Sequence, residues 1–599
     1  MSKLMYRPDI DGLRALAVLS VILFHINHSW LPNGFLGVDM FFVISGFLIT
    51  SILLKDMEVK KFSFSEFYNR RIKRILPVFF VVLTAGVLAT HILFVPQDRD
   101  VIFKSVIASV MFLANIYFSR QGDYFDVSSN EKPFLHIWSL SLEEQFYFVF
   151  PVFLLILFQF SLTKRYKLQI ILGAVVFLFL TSFYDLSNFG LNLDNYYLPH
   201  ARGFELLIGS ALAIFTKQYP NRIPQKWTAF ASTSAIFSLI VLLFVGDIFP
   251  NSILFLLTCL SVSLLIFSNQ NSNFVSKFFS LSWVVWIGKI SYSLYLWHWV
   301  ILALMRYYLC TSILPTNYWI IAVLLTFLFS IITYYGIEQP FRKKDFPILK
   351  SVTIFYFLPA IFVLSFAFIS KNKNLDDLEF PDNICHSKFV VSCLKGDITK
   401  EPDILFIGNS HTGQLNPFVD EVGKKEGWSA DVVSTDSAHF AFDYYSGKNP
   451  QEKQRNQWIE ENYHKYKVIV LTNYAGVFPE PPVFEETIER FLREGKDVYI
   501  IDIQKFADND PLRYYYFKSI GITPYISSIK PDVAKENYML PLTEKYPEIR
   551  YINLKKYVPD NFFINGKPII KDKTHLNIYG AKYIAQEFMK ENVFYKNSK

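Results

Sequence analysis

The chain has 599 residues and a net charge of +7, and 52% of its residues are hydrophobic while only 19% are charged. That charged fraction is below the roughly 25% of ordinary globular proteins, and soluble cores could not hide all 61 Phe and 35 Tyr residues. The composition excludes a disordered or collagen-like chain. A nucleic-acid binder would concentrate its basic residues on one face, whereas those of this chain are scattered along it. It indicates a multi-spanning membrane protein with a further domain attached.

Apolar stretches recur up to about residue 370, with short polar breaks between them. A bilayer core needs about 20 mostly apolar residues per helix. On this basis eleven segments are predicted to be transmembrane helices: 11–30, 36–54, 76–95, 142–160, 168–187, 203–217, 228–246, 251–268, 287–309, 317–337 and 353–370. A twelfth stretch, 102–118, contains Lys104 and Asn115 and is the weakest candidate.

The basic loops predict which side each segment faces, because Lys and Arg gather in cytoplasmic loops near the ends of spans. If 102–118 does not cross, the N-terminus and all of the strongly basic loops lie on the cytoplasmic side: 60–74, 164–167, 217–226, 277–289 and 342–344. If it does cross, every later loop changes side and the rule fails repeatedly. We therefore expect eleven crossings, a cytoplasmic N-terminus and an extracytoplasmic segment 371–599. The first apolar segment is too long for a cleavable signal and is expected to remain as an anchor.

The charged C-terminal part is predicted to be an α/β domain. Strand-like apolar runs at 404–407, 468–472, 498–503 and 551–554 alternate with amphipathic helical stretches near 453–465 and 484–494. That alternation is typical of a parallel sheet covered by helices. We expect three regions: 1–345 with ten spans, 346–400 with the eleventh helix and a periplasmic linker, and 401–599 as the α/β domain.

Two cysteines stand close together just outside the last predicted span. Cys385 and Cys393 would form a disulfide in an oxidising periplasm, whereas Cys259 and Cys310 lie in membrane segments. Two free thiols are the alternative for the outer pair.

The outer domain carries a candidate nucleophile. Gly408-Asn409-Ser410 follows a predicted strand, so the serine hydroxyl would be exposed at a tight strand-to-helix turn, where a helix N-terminus favours an oxyanion. Near the C-terminus, Asp572 and His575 are three residues apart and can supply a base with an orienting carboxylate. Asn473 follows another strand and could donate to the oxyanion.

These motifs resemble the SGNH/GDSL hydrolase family, in which a nucleophile block comes first and an Asp-x-x-His block comes last. The resemblance implies an SGNH-like three-layer α/β domain with Ser410 as nucleophile, His575 as base, Asp572 as its orienting acid and Asn473 as an oxyanion donor. Asn409 replaces the Asp of the commoner Gly-Asp-Ser form, and the second oxyanion donor stays unassigned.

The membrane part carries a second set of chemical groups. Arg14 and His25 are eleven residues apart on the first span, so they share one helix face about 16 Å apart. Ionisable groups inside a bilayer are costly and usually face an interior pathway. Arg71 and Arg74 are one turn apart at the start of the third span and suit a phosphate-rich ligand. The alternative is that they are only positive-inside anchors.

The motifs around these residues resemble the acyltransferase-3 family of integral membrane acyltransferases. They are DGLRALAV at 11–18, GFLGVDMFFVISGF at 34–47, RIKR at 71–74, WSLSLEEQF at 138–146 and ISYSLYLWH at 290–298. The resemblance covers about residues 6–340 and implies that His25 is the essential membrane histidine. It also implies that Arg14, Arg71 and Arg74 bind the acyl donor.

Other polar residues of the spans are interpreted more conservatively. Arg202 and Glu205 are one turn apart and are predicted to form a structural ion pair. Asp39 is expected to face the protein interior, with no partner identified. His298 stands between two tryptophans and is interpreted as structural. Glu143 or its neighbour Glu144 could orient an imidazole or merely cap a helix.

Together these patterns predict an O-acetyltransferase that moves an acetyl group from cytoplasmic acetyl-CoA to a sugar hydroxyl of a bacterial surface polysaccharide. The acceptor would be O-antigen, another part of lipopolysaccharide or capsule, or the lipid-linked precursor of such a polysaccharide, and membrane lipid is a further expected partner. Acetyl-CoA is the acyl-donor substrate, and no bound cofactor, metal ion or nucleic-acid partner is expected. The predicted location is the bacterial inner membrane, with a periplasmic C-terminal domain. Whether the acetyl group passes through Ser410 stays open.

Two alternative functions stay open. One is a membrane-anchored esterase that removes acyl groups from glycans, although eleven spans with intramembrane Arg and His exceed what an anchor needs. The other is a glycan or lipid transporter with an outer binding domain, although a transporter has no use for a Ser-His-Asp triad.

Overall fold

The computed structural model describes residues 6–59, 61–120, 128–186, 193–219, 225–245, 248–371, 376–380, 393–435, 440–445, 452–472, 481–503, 505–532 and 540–595. The chain forms two compact units. The first, here the membrane unit, comprises 1–94, 98–122 and 127–372, and the second, here the C-terminal unit, comprises 95–97, 123–126 and 373–599.

The regular elements in the described parts of the membrane unit are helices. Its helices are α1 Pro8–Ile26, α2 Gly37–Glu58, α3 Phe64–Leu93, α4 Arg99–Val110, α5 Ala114–Ser119, α6 Ile137–Gln159, α7 Ser161–Arg165, α8 Lys167–Thr181, α9 Pro199–Gln218, α10 Gln225–Phe244, α11 Asn251–Ser268, α12 Phe274–Phe279, α13 Ser282–Leu309, α14 Thr316–Thr333, α15 Gln339–Lys343, α16 Ile348–Val352 and α17 Leu358–Lys371. Single π-helical turns join α14 to α15 and α16 to α17.

Seven helices in the described part of the chain are long and apolar enough to cross a bilayer: Gly34–Glu58, Phe64–Leu93, Ile137–Gln159, Trp227–Phe244, Asn251–Ser268, Thr316–Lys343 and Ile348–Lys371. The protein is therefore a multi-spanning membrane protein. The other four predicted spans fall on α1, α8, α9 and α13, which are shorter or less apolar, so the count of eleven is not confirmed. The doubtful stretch 102–118 forms the short helices α4 and α5, broken at Phe112 by a positive φ of 53°.

The contact between α1 and α13 bears on that doubtful stretch. The Asp11 carbonyl lies beside Gly288 at one end, and His25 contacts His298 at the other, so the two helices run parallel. A parallel pair requires an odd number of crossings between them. The predicted topology has seven there, and a crossing at 102–118 would make eight. The packing therefore agrees with 102–118 staying on one side.

Glycines allow α2 and α9 to approach closely. A Cβ on Gly46 would clash with the Leu206 carbonyl, and a Cβ on Gly209 would clash with the Val43 carbonyl. Small residues at helix crossings allow close backbone packing where lipid supplies no hydrophobic driving force between helices.

The C-terminal unit is an α/β domain. Its strands are β1 Leu394–Gly396, β2 Ile404–Gly408, β3 Ser429–Ser434, β4 Val468–Thr472, β5 Asp497–Asp502, β6 Phe506–Ala507, β7 Pro531–Asp532, β8 Arg550–Asn553, β9 Phe563–Ile564 and β10 Lys567–Pro568. Its helices are α18 Ser410–Gly413, α19 Asn416–Glu426, α20 Glu452–Asn462, α21 Pro481–Arg493, α22 Pro511–Ser519, α23 Leu540–Lys545 and α24 Ile578–Glu591.

Among the described residues the main sheet has the strand order β1-β3-β2-β4-β5-β8, in which the edge strand β1 is antiparallel to its neighbour and the other pairs are parallel. The four predicted strands are β2, β4, β5 and β8, and the two predicted helices are α20 and α21. The predicted parallel sheet is thus a mixed sheet. Strand β3 was not predicted, and β1 lies inside the segment 346–400 that was predicted to be a linker.

Alternating side chains of β2 explain the three layers. Ile404 and Phe406 enter one core with α19 and α24, while Leu405 and Ile407 enter a second core with α20 and α21. A strand buried on both faces is apolar at every position. The continuous run 404–407 therefore marks a central strand, and the residue that follows its carboxyl end lies at the sheet edge where α/β proteins build their sites.

Candidate functional site

Ser410 begins a tight turn at the carboxyl end of β2. The Asn409 side chain caps the turn by accepting a backbone N–H at 2.9 Å, and the Thr412 hydroxyl donates to the Thr472 carbonyl at 3.2 Å. A Cβ on Gly408 would clash with both threonines. The turn therefore requires glycine at this position, and the Thr412 hydroxyl ties it to the neighbouring strand β4.

Three predicted residues meet at this turn. Oγ of Ser410 lies 2.9 Å from Nε2 of His575, and Nδ1 of His575 lies 3.0 and 3.1 Å from the carboxylate oxygens of Asp572. Ser410 and His575 are almost fully buried. The arrangement matches a nucleophile, a base and an orienting acid, which is the geometry required for acyl transfer through an acyl-serine.

Asp572 is held in its ionised form. Burial raises its pKa, but the His575 imidazole, Lys571 and the Thr574 backbone N–H together outweigh burial and hold the pKa well below its usual range. The Thr574 N–H donates to the carboxylate at 2.7 Å and the His575 N–H at 2.9 Å. A carboxylate fixed in this way favours the His575 tautomer with its proton on Nδ1, which leaves Nε2 free to accept the Ser410 proton.

The site contains residues that sequence reasoning missed. The guanidinium of Arg455, on α20, is fully buried and donates to the Gly408 carbonyl at 3.3 Å and to the Thr435 hydroxyl at 2.6 Å. Burial lowers the pKa of Arg455 to about 10, so it stays charged at neutral pH. It holds the end of β2 in place through the carbonyl of the last residue of that strand. No local motif marks it: its neighbour Asn456 also accepts from it, but the Gly408 carbonyl and the Thr435 hydroxyl are 47 and 20 residues away.

Gln414 links the segment that carries Ser410 to the segment that carries Asp572 and His575. Its amide nitrogen lies 3.1 Å from Nδ1 of His411, and its oxygen accepts the Leu576 N–H at 2.7 Å. The His411 ring stacks on His575 at 4.7 Å with an interplanar angle of 22°. This contact gives His411 a packing role against the base.

Two predictions for the C-terminal unit depend on residues outside the described parts of the chain. Asn473 is one, so its oxyanion role stays a prediction; the strand before it, β4, pairs Thr472 with Gly408. Cys385 is the other. Cys393 is disulfide-bonded, and its pairing with Cys385 stays a prediction.

The membrane unit encloses a charged cavity of about 490 Å³. Arg14, Arg71 and Arg74, the three predicted donor-binding residues, all line it. Its other charged or phenolic lining residues are Asp11, Lys289, Glu143, Glu338, Arg342, Tyr6, Tyr147, Tyr292, Tyr295 and Tyr334. A volume of this size is typical of sites for small molecules and cofactors. Lys289 and Arg342 were missed because the sequence assigned them only to basic loops.

The basic residues at the start of α3 lie on two faces of the helix, one towards the cavity and one towards the surface. Arg71 and Arg74 line the cavity, and the Arg71 guanidinium lies 4.9 Å from the Tyr147 ring centroid. Arg70 instead pairs with Asp56 at 3.2 Å with its side chain 52% exposed, and Lys73 donates to a backbone carbonyl at 2.9 Å. Of these four basic residues, the two that are three residues apart line the cavity and the other two do not. A role as simple membrane anchors does not explain this difference.

Glu143 also faces the cavity. It accepts a hydrogen bond from the Ser45 hydroxyl at 2.5 Å and another from the Tyr147 hydroxyl. Glu144 does not line the cavity in the described structure.

His25 lies near the C-terminal end of α1 and does not line that cavity within the described residues. Its Nδ1 lies 3.0 Å from Nε2 of His298, and its ring packs edge-on against Trp299 at 4.5 Å. A third imidazole, His136, lies with its ring centroid 5.9 Å from that of His298. The cavity and the histidines are adjacent through Tyr295, which lines the cavity and whose carbonyl lies 2.6 Å from Nδ1 of His298.

A buried ion-pair cluster lies on α2 and α9. Arg202 contacts Glu205 at 2.7 Å and Asp39 at 3.2 Å, and all three side chains are fully buried. The predicted pair of Arg202 and Glu205 is confirmed, and Asp39 has Arg202 as its partner. The guanidinium also lies 3.9 Å from the Phe255 ring centroid, so the cluster ties three helices together.

Two family models match the chain. One described as an acyltransferase domain matches residues 7–335, which is more than half of the chain, and one described as an SGNH domain fused to AT3 domains matches 377–590. The chain therefore belongs to this acyltransferase family and carries an SGNH domain after its membrane unit. Both resemblances predicted from the motifs are confirmed.

Similar proteins come from Staphylococcus aureus. The O-acetyltransferase OatA of strain MRSA252 is 35% identical over 398 residues, which are 61% of this chain and 64% of the relative. OatA of strain NCTC 8325 is 36% identical over 359 residues, or 57% and 58%. A provisionally named O-acetyltransferase of strain MSSA476 is 35% identical over 363 residues, or 58% and 59%. The matched part thus spans about three fifths of these relatives.

Proposed function

We propose that the protein is an O-acetyltransferase that takes an acetyl group from cytoplasmic acetyl-CoA and delivers it to a sugar hydroxyl of a bacterial surface polysaccharide. The observation that carries the proposal is that one chain combines a basic cavity in its membrane unit with a complete Ser410-His575-Asp572 arrangement in its C-terminal unit. The names of the Staphylococcus aureus relatives support acetyl transfer to oxygen.

The cavity suits a donor with several phosphates. Arg14, Arg71 and Arg74 bring three guanidinium groups to one space, and guanidinium groups bind phosphate oxygens in a bidentate manner. Coenzyme A is highly charged and cannot cross lipid, so a site at the cytoplasmic end of α3 would hold its phosphates while the thioester reaches into the bundle. The positive-inside pattern supports this orientation.

His25 would accept the acetyl group inside the bundle. An imidazole nitrogen attacks the thioester carbonyl, an N–C bond forms, the C–S bond breaks and coenzyme A leaves as its thiol once it takes up a proton. The acetyl group is small and uncharged, and it can be passed to the outer side without moving coenzyme A.

Ser410 would receive the acetyl group on the outer side. His575 takes the Ser410 proton as Oγ attacks the acetyl carbonyl, the bond to the His25 nitrogen breaks, and the proton passes on to that nitrogen, so that both imidazoles are neutral again. The sugar hydroxyl then attacks the acyl-serine, His575 takes its proton, and Oγ leaves and regains a proton. The acceptor we propose is O-antigen, another part of lipopolysaccharide or a lipid-linked precursor, met in the periplasm by a protein of the inner membrane.

The proposal is tested by measuring acetyl esters on the surface glycan. A strain lacking the protein is complemented with the wild type, His25→Ala or Ser410→Ala, and purified glycan is analysed by mass spectrometry. Both variants are expected to lose acetylation. Matched controls are His91→Gln, a membrane histidine hydrogen-bonded to Ser370 at 2.8 Å, and Ser429→Ala, a buried serine that donates to the Lys400 carbonyl; both should keep it.

Other outcomes favour the alternatives. Excess acetylation in the Ser410 variant would make the C-terminal unit an esterase that removes acyl groups. Unchanged acetylation in both variants together with altered glycan export would favour a transporter. Loss with His25→Ala and wild-type levels with Ser410→Ala would show direct transfer from the membrane unit to the glycan.

A further inference from the structure

Two imidazoles from distant parts of the chain meet inside the membrane unit. Nδ1 of His25 lies 3.0 Å from Nε2 of His298, and Nδ1 of His298 lies 2.6 Å from the carbonyl oxygen of Tyr295. The His298 side chain is fully buried, whereas His25 is partly exposed. Within the described residues Nε2 of His25 makes no hydrogen bond.

The hydrogen bonds that link His25, His298 and the Tyr295 carbonyl determine which imidazole nitrogens carry a proton. A carbonyl oxygen can only accept, so Nδ1 of His298 must carry a proton. In a neutral His298 the other nitrogen, Nε2, then has a lone pair and accepts. Nδ1 of His25 must therefore be the donor of the 3.0 Å bond. Neutral His25 protonated on Nδ1 has its lone pair on Nε2.

The surroundings favour neutral rings. The guanidinium of Arg306 donates to the His25 carbonyl and lies 5.7 Å from the Trp299 ring centroid. A cation this close disfavours a second positive charge on either imidazole. Trp299 also covers the His25 ring edge-on. The pair is thus held as two neutral, oriented imidazoles.

We propose that His298 is a positioning residue that keeps the proton of His25 on Nδ1, so that Nε2 is the nitrogen that accepts the acetyl group. This inference rests on the proposed role of His25. It assigns a function to a residue that the sequence suggested was only structural, and it explains why the ISYSLYLWH segment lies against α1.

The pair also gives the proton a path during transfer. When Nε2 attacks the thioester carbonyl, the new N–C bond makes the His25 ring cationic, and the C–S bond breaks. The Nδ1 proton then moves to Nε2 of His298, which leaves a neutral acetyl-imidazole. That proton ends on the coenzyme A thiolate, so the products are a neutral acetyl-histidine and a neutral thiol. The Tyr295 carbonyl stabilises the transient His298 cation by accepting from its Nδ1.

The tautomer of His25 can be measured directly. The full chain is labelled with ¹⁵N-histidine, reconstituted in lipid nanodiscs and studied by solid-state NMR, and the His25 signals are assigned by their loss in His25→Ala. The inference predicts a protonated Nδ1 and an unprotonated Nε2 in the wild type, with a coupling to a second histidine ring. A proton on Nε2, or a doubly protonated ring, at neutral pH would overturn it.

Variants at His298 test whether acetylation requires an acceptor at this position for the Nδ1 proton of His25. His298→Gln can donate its amide N–H to the Tyr295 carbonyl and accept the His25 N–H with its oxygen, whereas His298→Met can do neither. We expect the Gln variant to keep acetylation within about 10-fold of the wild type and the Met variant to fall by about 100-fold or more, because loss of a tautomer-fixing partner is costly. Trp297→Phe, which removes only a bond to Thr333, controls for damage to α13.

The outcomes separate the inference from the proposed function. Acetylation that survives His25→Ala contradicts the proposed role of His25 itself. Acetylation that is lost with His25→Ala but is equal in the Gln and Met variants contradicts only the role of His298. If the Met variant fails to insert in the membrane, the NMR spectrum of His298→Gln still decides, since the His25 proton must stay on Nδ1.

Discussion

Ser410 and His575 are 165 residues apart in the chain and are joined by a 2.9 Å hydrogen bond. Each is fixed by its own neighbours: Ser410 by the turn after β2, and His575 by the carboxylate of Asp572. The acid has two tasks, orientation of the ring and stabilisation of its positive charge. These two tasks lead to separate predictions.

Asp572→Asn keeps the shape of the acid but removes its charge. The amide can present N–H to Nδ1 of His575, which favours the wrong tautomer. We expect hydrolysis of a small chromogenic acetate ester by the full chain to fall by about 10³-fold or more, with KM changed little. Asp403→Asn, which removes an ion pair with Lys467 at the other end of β2, is the control and should retain activity. A fall of less than 10-fold in Asp572→Asn would argue against the triad.

The same carboxylate should make stability depend on pH. Its pKa is held below the usual range in the folded protein, so the stabilisation is fully present above the unfolded value of about 3.9 and is lost as pH falls through the folded pKa. Thermal unfolding of the wild type and of Asp572→Asn, followed in detergent from pH 7 to pH 3, should show a difference in Tm that narrows below about pH 4. A difference in Tm that does not change with pH would contradict an ionised Asp572.

At the scale of elements, α3 presents different faces to the cavity and to solvent. Arg71→Gln should raise KM for acetyl-CoA by about 10- to 100-fold, since one charged hydrogen bond contributes about 1.5–3 kcal/mol, and kcat should change less. Lys73→Gln lies two residues away on the other face and should stay within about 3-fold of the wild type. Equal effects from both substitutions would mean that these residues only anchor the helix at the membrane.

The close contact of α2 with α9 gives a prediction about packing. Gly46→Val places a side chain against the Leu206 carbonyl, so the helices must separate, at a cost of about 1–3 kcal/mol. Thermal unfolding in detergent should show a lower Tm. Gly173→Val is the matched control, because nothing lies within 4 Å of a Cβ there, and its Tm should change little. An unchanged Tm in Gly46→Val would contradict the tight crossing.

Elements with local signals could be predicted from the sequence, and those that depend on distant partners could not. The apolar run 404–407 indicated β2, whereas β3 was missed because its residues 429–434 include Asp431 and Ser434 among apolar ones. The triad was predicted because its parts lie in two short motifs. Arg455 and the link through Gln414 were missed, since the Gly408 carbonyl bound by Arg455 is 47 residues away and the Leu576 N–H bound by Gln414 is 162 residues away.

His298 shows the same limit for a functional residue. Its neighbours Trp297 and Trp299 suggested a structural role, but its hydrogen-bond partner His25 is 273 residues away. Only the parallel contact of α1 with α13 brings them together. Conversely, helical spacing placed Arg71 and Arg74 on one face of a helix, because three residues make about one turn, and their donor-binding role was predicted from the resemblance to the acyltransferase-3 family.

At the scale of the whole molecule, the chain divides its chemistry between two units. The membrane unit holds a basic cavity and paired histidines, and the C-terminal unit holds a serine with its base and acid. A cavity alone would suit a carrier, and a triad alone would suit an esterase. The combination in one chain is what the proposed two-step acyl transfer requires, with the thioester opened in the membrane unit and the ester made in the C-terminal unit.

The central claim is tested by following the acetyl group from one side to the other. The full chain is reconstituted in sealed vesicles, labelled acetyl-CoA is supplied only on the side of Arg71, and the tryptic peptide containing Ser410 is analysed by mass spectrometry without an acceptor sugar. The account predicts an acetyl ester on Ser410 in the wild type and none in His25→Ala. Equal acetylation of Ser410 in both proteins, or acetylation only when acetyl-CoA is supplied on the Ser410 side, would contradict it.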